Sequence, residues 1–164
     1  MKPSARAVFG AIALLSLAAV AAALTSQHAF DMQPCPWCVL QRLIFVLVAL
    51  VALAGVAWES RPGQRGLALA LLLLCGAGMA AVLWQHFVAA ASTSCNLTLA
   101  DRIMNGSGLP GLLPDVFEAR ATCADAAVSL LGVPYEFWAL ALFLAIEAAA
   151  LYLVLSKRFS ASWR

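Results

Sequence analysis

The chain has 164 residues, of which 64% are hydrophobic and 11% charged, and its formal net charge is +2. That much apolar surface excludes a soluble domain of this length, and no phosphate-binding loop or nucleic-acid motif is present. The apolar residues gather in four runs, 7–24, 39–58, 67–91 and 135–155, each 18 to 25 residues long. About 20 helical residues cross the hydrocarbon core of a bilayer. The sequence therefore predicts an all-α membrane protein: a bundle of four transmembrane helices, one domain over residues 1–164.

Basic residues set the expected orientation. Lys2 and Arg6 precede the first run, Arg61 and Arg65 separate the second from the third, and Lys157, Arg158 and Arg164 follow the fourth. With four spans these segments share one side, so both termini are expected in the cytoplasm. The opposite side holds the loops 25–38 and 92–134, with Asp31, Asp101, Asp115, Glu118, Asp125 and Glu136 against only Arg102 and Arg120. The first run also resembles a signal peptide, with small residues at 21–23. It is long enough to span, and retention is the favoured reading.

The first span carries little chemistry, and His28 just after it reads as an interfacial histidine. The second begins at Gln33-Pro34-Cys35-Pro36-Trp37-Cys38-Val39-Leu40-Gln41-Arg42. A helix starting here puts Cys35 near its N-cap and Pro36 at the first helical position, where proline fits. Cys38 then lies in the first turn, where free N–H groups and the helix dipole favour a thiolate. Arg42 is four residues on, on the same face, and helical side chains lean toward the N-terminus. An arginine inside an apolar helix is costly and usually has a task, although snorkelling to headgroups is the plain alternative. A metal half-site needs two more ligands, and covalent haem needs a histidine where Val39 stands.

The turn at 59–66 leads into the third span, where Gly76, Gly78, Ala80 and Ala81 are expected to form a small-residue packing face. Cys75, in mid-membrane, reads as an inert buried thiol. Gln85 and His86 lie at the depth of Arg42, which raises the prospect of a small polar pocket between two helices. The loop 92–134 carries Cys95 and Cys123. Between them Leu112, Leu113, Val116 and Phe117 suit one side of a short surface helix, or an ordinary packed loop, with Pro110 and Pro114 limiting its length. Asn96-Leu-Thr98 and Asn105-Gly-Ser107 match a glycosylation pattern that often arises by chance. Tyr135, Phe137 and Trp138 open the fourth span as an aromatic belt. Glu147, deep in that span, is expected to be protonated and hydrogen-bonded to a neighbouring helix.

Five cysteines thus divide into two outward pairs and one membrane thiol. Thiolate attack on a disulfide lets two such pairs trade electrons if they meet. Electrons reaching a membrane-edge CxxC need an acceptor, and a lipid-soluble quinone beside Cys38 and Arg42 suits that place. The loop pair is expected to lie outside this site.

These features resemble the bacterial disulfide bond formation protein B (DsbB) family over nearly the whole chain. The likeness rests on the four spans, Pro34-Cys35-Pro36-Trp37-Cys38-Val39-Leu40-Gln41-Arg42, Cys95 and Cys123, the Leu-Pro…Val-Phe stretch before Cys123, and Gly132-Val133-Pro134…Trp138. The resemblance implies that Cys95–Cys123 oxidises a reduced periplasmic DsbA-type partner of thioredoxin fold. It implies that Cys35–Cys38 passes the electrons to ubiquinone or menaquinone, with Arg42, and less firmly His86, beside the quinone. The setting would be the bacterial inner membrane, with the cysteines facing the periplasm, which a DsbA–DsbB–quinone pathway keeps oxidising. Two other classes stay open at this point. One is a metal-binding or structural protein using Cys35, Cys38 and His86. The other is a paralogue with one dedicated partner, or a relative of vitamin K epoxide reductase.

Overall fold

Ser4 starts the first helix by accepting the Ala7 N–H on its hydroxyl at 3.2 Å, which satisfies one of the free donors of the first turn. The computed structural model describes residues 3–91 and 98–156. Its long helices are α1 (Ala5–Phe30), α2 (Pro36–Ala57) and α3 (Arg61–Trp84), the last continued by a π-helical turn over Gln85–Ala89. The short helices α4 (Leu99–Ser107), α5 (Leu109–Leu112) and α6 (Pro114–Phe117) follow, then the long α7 (Tyr135–Leu155). α1, α2, α3 with its π turn, and α7 are each long and apolar enough to cross a membrane. The chain is a four-span, all-α membrane protein. Leu14, Leu73 and Leu155 are exposed on the bundle's outside, where lipid tails are as apolar as leucine.

α3 packs between α2 and α7. Along α3, Gln64, Ala68, Leu71, Cys75, Gly78 and Val82 are buried, in steps of three and four that form one stripe. A Cβ on Gly78 would lie 2.5 Å from the Phe143 ring. That ring is stacked on Phe45 with centroids 4.1 Å apart. The expected small-residue face is therefore only half right. Gly78 and Ala81 face the bundle, but nothing lies within 4 Å of a Cβ on Gly76, and Ala80 is exposed. Both point off the stripe.

Two boundaries differ most from those read in the sequence. α1 continues beyond residue 24 to Phe30, because the hydroxyls of Thr25 and Ser26 bond back to Ala21 O and Ala22 O at 2.9 Å and Gln27 is buried. Asp31 ends it at φ 52°, a left-handed conformation that aspartate tolerates. α3 starts within the expected turn, at Arg61, since Pro62 suits a first helical turn. The Gln64 amide donates to Gly55 O at 3.2 Å and Trp58 O at 3.0 Å, closing carbonyls that the end of α2 leaves open.

The loop after α3 is more ordered than expected. Thr98 and Asp101 form a reciprocal capping box that starts α4, and Gly108 ends it at φ 69°. The expected helix at 109–117 is two single turns, α5 and α6. Pro114 lacks an N–H and bars helical conformation at Leu113. Phe117 is buried, while Leu112 and Leu113 are exposed. A two-stranded hairpin, β1 (Ser129–Leu130) and β2 (Val133–Pro134), leads into α7.

Glu147 does not make the expected interhelical bond: its Oε2 is buried without a hydrogen-bond partner among the described residues.

Candidate functional site

Cys35 is the N-cap of α2, and Pro36 occupies the first turn. Its Sγ accepts the Cys38 N–H at 3.3 Å and lies 2.7 Å from the Cys38 Sγ. The pair thus sits at the positive end of a helix, with Cys35 buried and Cys38 half-buried. The Gln85 amide donates to the Cys38 sulfur at 3.3 Å, and the Gln41 amide donates to Gln85 Oε1 at 2.7 Å. The π turn positions Gln85: its carbonyl accepts the Ala90 N–H five residues on, at 2.9 Å. Such turns recur at functional sites.

Cys123 comes to the same place from the loop. Pro34 O accepts the Arg120 N–H at 2.9 Å and the Ala121 N–H at 3.2 Å, which docks the loop on the residue before the CxxC. Cys123 lies beside Cys35, close enough for the two thiols to perturb each other. This contact pushes the Cys35 thiol above its ordinary range, with Cys38 and burial adding to the effect. It pulls Cys123 down against the opposing effect of burial, helped by the Trp37 backbone N–H. A lowered Cys123 favours the thiolate, the form that attacks disulfides. Cys95 lies outside the described residues.

Beside Cys38 opens a cavity of about 700 Å³ between α1, α2 and α7. Ala19, Ala23, Phe45, Trp138 and Leu142 give it apolar walls, and Gln41, Arg42, Gln85, Tyr135 and Glu136 give it polar groups. Arg42 is buried. Its Nη1 donates to Gln27 Oε1 at 2.9 Å and to Val116 O at 2.6 Å. Arg42 thus also holds the loop at Val116, because α6 folds down onto α1 and α2. Its Nε is buried without a hydrogen-bond partner among the described residues. Apolar walls with Arg42, Gln41 and Gln85 among them suit a ligand that is mostly hydrocarbon with a few carbonyl oxygens.

His86 lies to one side of this cavity. Its Nδ1 is 2.7 Å from Glu136 Oε1, and its ring packs against Phe87 and Phe137. Gln85, not His86, touches Cys38. Among the described residues no three of His, Cys, Asp and Glu are grouped to hold a metal ion, so Cys35, Cys38 and His86 form no such site. Cys75 is buried on the α3 stripe, away from the trio. Sequence reasoning missed Gln27 and Glu136. Gln27 sits beyond the apolar run that marked the first span, and Glu136 had been grouped with the loop acids.

Three thiols gathered on one helix end, at the rim of a bundle that crosses a membrane, mark a membrane protein of thiol–disulfide exchange. The chain belongs to the DsbB family: residues 5–153 match the family described as Disulfide bond formation protein DsbB. It is 34% identical over 157 residues to Disulfide bond formation protein B of Herminiimonas arsenicoxydans, covering 94% of this chain and 98% of that one. The protein of the same name from Ralstonia nicotianae is 31% identical, with 96% and 98% covered. That from Aromatoleum aromaticum is 30% identical, with 94% and 95% covered. Membership makes the chain a multi-pass membrane protein of disulfide formation, and implies disulfide oxidoreductase activity and a periplasmic DsbA partner.

Proposed function

We propose that the protein reoxidises a DsbA-type dithiol in the periplasm and passes the electrons through Cys95–Cys123 and Cys35–Cys38 to a membrane quinone, from the bacterial inner membrane. The observation that carries this reading is the place of Cys35, between Cys38 and Cys123, at the edge of the Arg42 cavity.

In this scheme a partner thiolate attacks Cys95 of the loop disulfide, and Cys123 leaves as a thiolate. Cys123 attacks Cys35, and Cys38 leaves as a thiolate at the start of α2. The partner's second thiol attacks its own mixed disulfide, which frees Cys95 and completes the partner's oxidation. Cys95 then attacks Cys123, restoring the loop disulfide and freeing Cys35. The two electrons and two protons gained from the partner now reside on Cys35 and Cys38.

A bound quinone supplies an acceptor for two electrons and two protons. The chain's residues fit it: Arg42 and Gln41 offer donors to carbonyl oxygens, Arg42 holds positive charge where negative charge develops, and Phe45, Trp138 and Leu142 exclude water. Gln85 donates a hydrogen bond to the Cys38 sulfur and so fixes its position at the cavity.

The test is quinone reduction by the purified protein with a reduced DsbA-type partner, read as quinol formed per partner disulfide. One quinol per disulfide is expected, with none from Cys38→Ser. Partner oxidation with no quinol removes the quinone from the scheme.

A further inference from the structure

We propose that Glu136 and His86 form a proton relay into the cavity, and that Glu136 is a catalytic residue there. This rests on the quinone reading above.

Glu136 is a buried carboxyl on the cavity wall, only 6% exposed. A carboxyl so placed needs a partner or a task. Its partner is His86 Nδ1 at 2.7 Å, a hydrogen bond across which one proton can pass either way. The His86 side chain is 31% exposed, and it stands within one turn of the end of the π segment at Ala89. The pair therefore has one end in the cavity and the other near the bundle surface. Phe137 and Phe87 hold the imidazole from two sides. The other titratable groups around this cavity are Cys38 and Arg42 from α2, Asp31 after α1, Arg120 and Asp125 from the loop, and Tyr135. Asp31 and Asp125 are exposed, which leaves Glu136 as the buried acid among them.

The proton balance calls for such a route. The thiols give up their two protons at the outer rim, where thiolates form and attack. An acceptor that takes two electrons inside the cavity must gain two protons there, out of contact with bulk water. Glu136 gives a proton to an oxygen of the bound acceptor, His86 restores it, and water restores the proton on His86. A second passage delivers the second proton, and the pair ends as it began.

Glu136→Gln tests this, because the amide Oε1 still accepts from His86 but carries no transferable proton. Its reduction of decylubiquinone should fall about a hundredfold, the low end of what a positioned general acid supplies. The solvent deuterium effect on that step should rise. Decylubiquinone binding, measured by equilibrium dialysis, should stay within about twofold of wild type, and quinone-free exchange with the partner should be unchanged. As a control on folding, His86→Ala should lose rate and regain it with added imidazole, which a purely structural histidine does not do. Wild-type quinone reduction in Glu136→Gln, or loss without imidazole rescue in His86→Ala, overturns the relay and leaves the quinone reading standing. A wild-type protein that binds and reduces no quinone overturns both.

Discussion

Arg42 Nη1 stands 2.9 Å from Gln27 Oε1, while the Gln27 amide donates to Asp115 O at 3.2 Å. A buried pair from α1 and α2 thus holds α6, whose Val116 O also accepts from Arg42. The loop bearing Cys123 is pinned from below by the residue that faces the cavity. Gln27→Leu removes the glutamine's part in this clamp and leaves Arg42 one acceptor short. A buried hydrogen bond to a charged group is worth about 1.5–3 kcal/mol. The variant should unfold at a lower temperature, and exchange between Cys123 and Cys35 should slow by about tenfold, the rate equivalent of ~1.4 kcal/mol. Thermal unfolding in detergent and a quinone-free exchange assay measure the two effects. Wild-type values in both would show that the clamp does not set the loop's position.

Cys123 should react as a thiolate at lower pH than an ordinary cysteine. Its attacking form is the deprotonated one, and the neighbouring Cys35 holds its pKa below the usual range. Its alkylation rate should therefore be near its plateau by about pH 8.5, the usual thiol value, and fall as pH drops through the lowered pKa. Cys35, shifted upward by the same contact, should alkylate slowly until higher pH. Iodoacetamide kinetics on a reduced Cys95→Ser variant give both profiles. Adding Cys35→Ala should move the Cys123 midpoint upward; an unmoved midpoint would mean that the Cys35 contact does not tune it.

Glu147 is a different case, since its buried Oε2 lacks a partner among the described residues. An unsatisfied buried polar group costs about 1–3 kcal/mol. Glu147→Met keeps roughly the same shape without that group, so the variant should be more stable by about that amount. Turnover should be unchanged, because Glu147 lies toward the far end of α7 from Tyr135 and the cavity. Thermal unfolding and quinone turnover on one preparation check this. A stable variant that no longer reduces quinone would place Glu147 on a proton path.

The parts of this site that were legible in the sequence are those with local signals. Apolar runs marked the spans, and Cys35-Pro36-Trp37-Cys38 marked a helix start, because N-capping and a first-turn proline are properties of adjacent residues. Thr98-x-x-Asp101 was also a readable signal for α4. It was passed over amid loop-like composition. Gln27 was hidden because its role comes from Arg42, fifteen residues away in sequence but adjacent in space. Glu136 was hidden because it opens a span where loop acids end, and nothing local says that His86 faces it. The reach of Arg42 to Val116 depends on α6 folding inward, a tertiary event with no periodic signature.

Arg42 joins the two halves of the mechanism, and its substitution should affect both. Arg42 lines the cavity, its Nε lacks a partner among the described residues, and its Nη1 holds Gln27 and Val116 O. Arg42→Ala removes the positive charge beside Cys38 and the donor for a quinone oxygen. A lost charge-assisted hydrogen bond of about 1.5–3 kcal/mol corresponds to roughly tenfold to somewhat over a hundredfold in kcat/KM for quinone. The same change frees α6, so quinone-free exchange at Cys123 should also slow, but only as far as it does in Gln27→Leu. Arg42→Lys separates the two roles. An ammonium keeps the charge but lacks the planar fork that spans Gln27 and Val116 together. It should recover more of the quinone step than of the exchange step. The two assays, run on Arg42→Ala, Arg42→Lys and Gln27→Leu, give the comparison. If Arg42→Ala slows exchange as much as quinone reduction, with Gln27→Leu matching it in both, Arg42 acts only by holding the loop, and the cavity has no use for its charge.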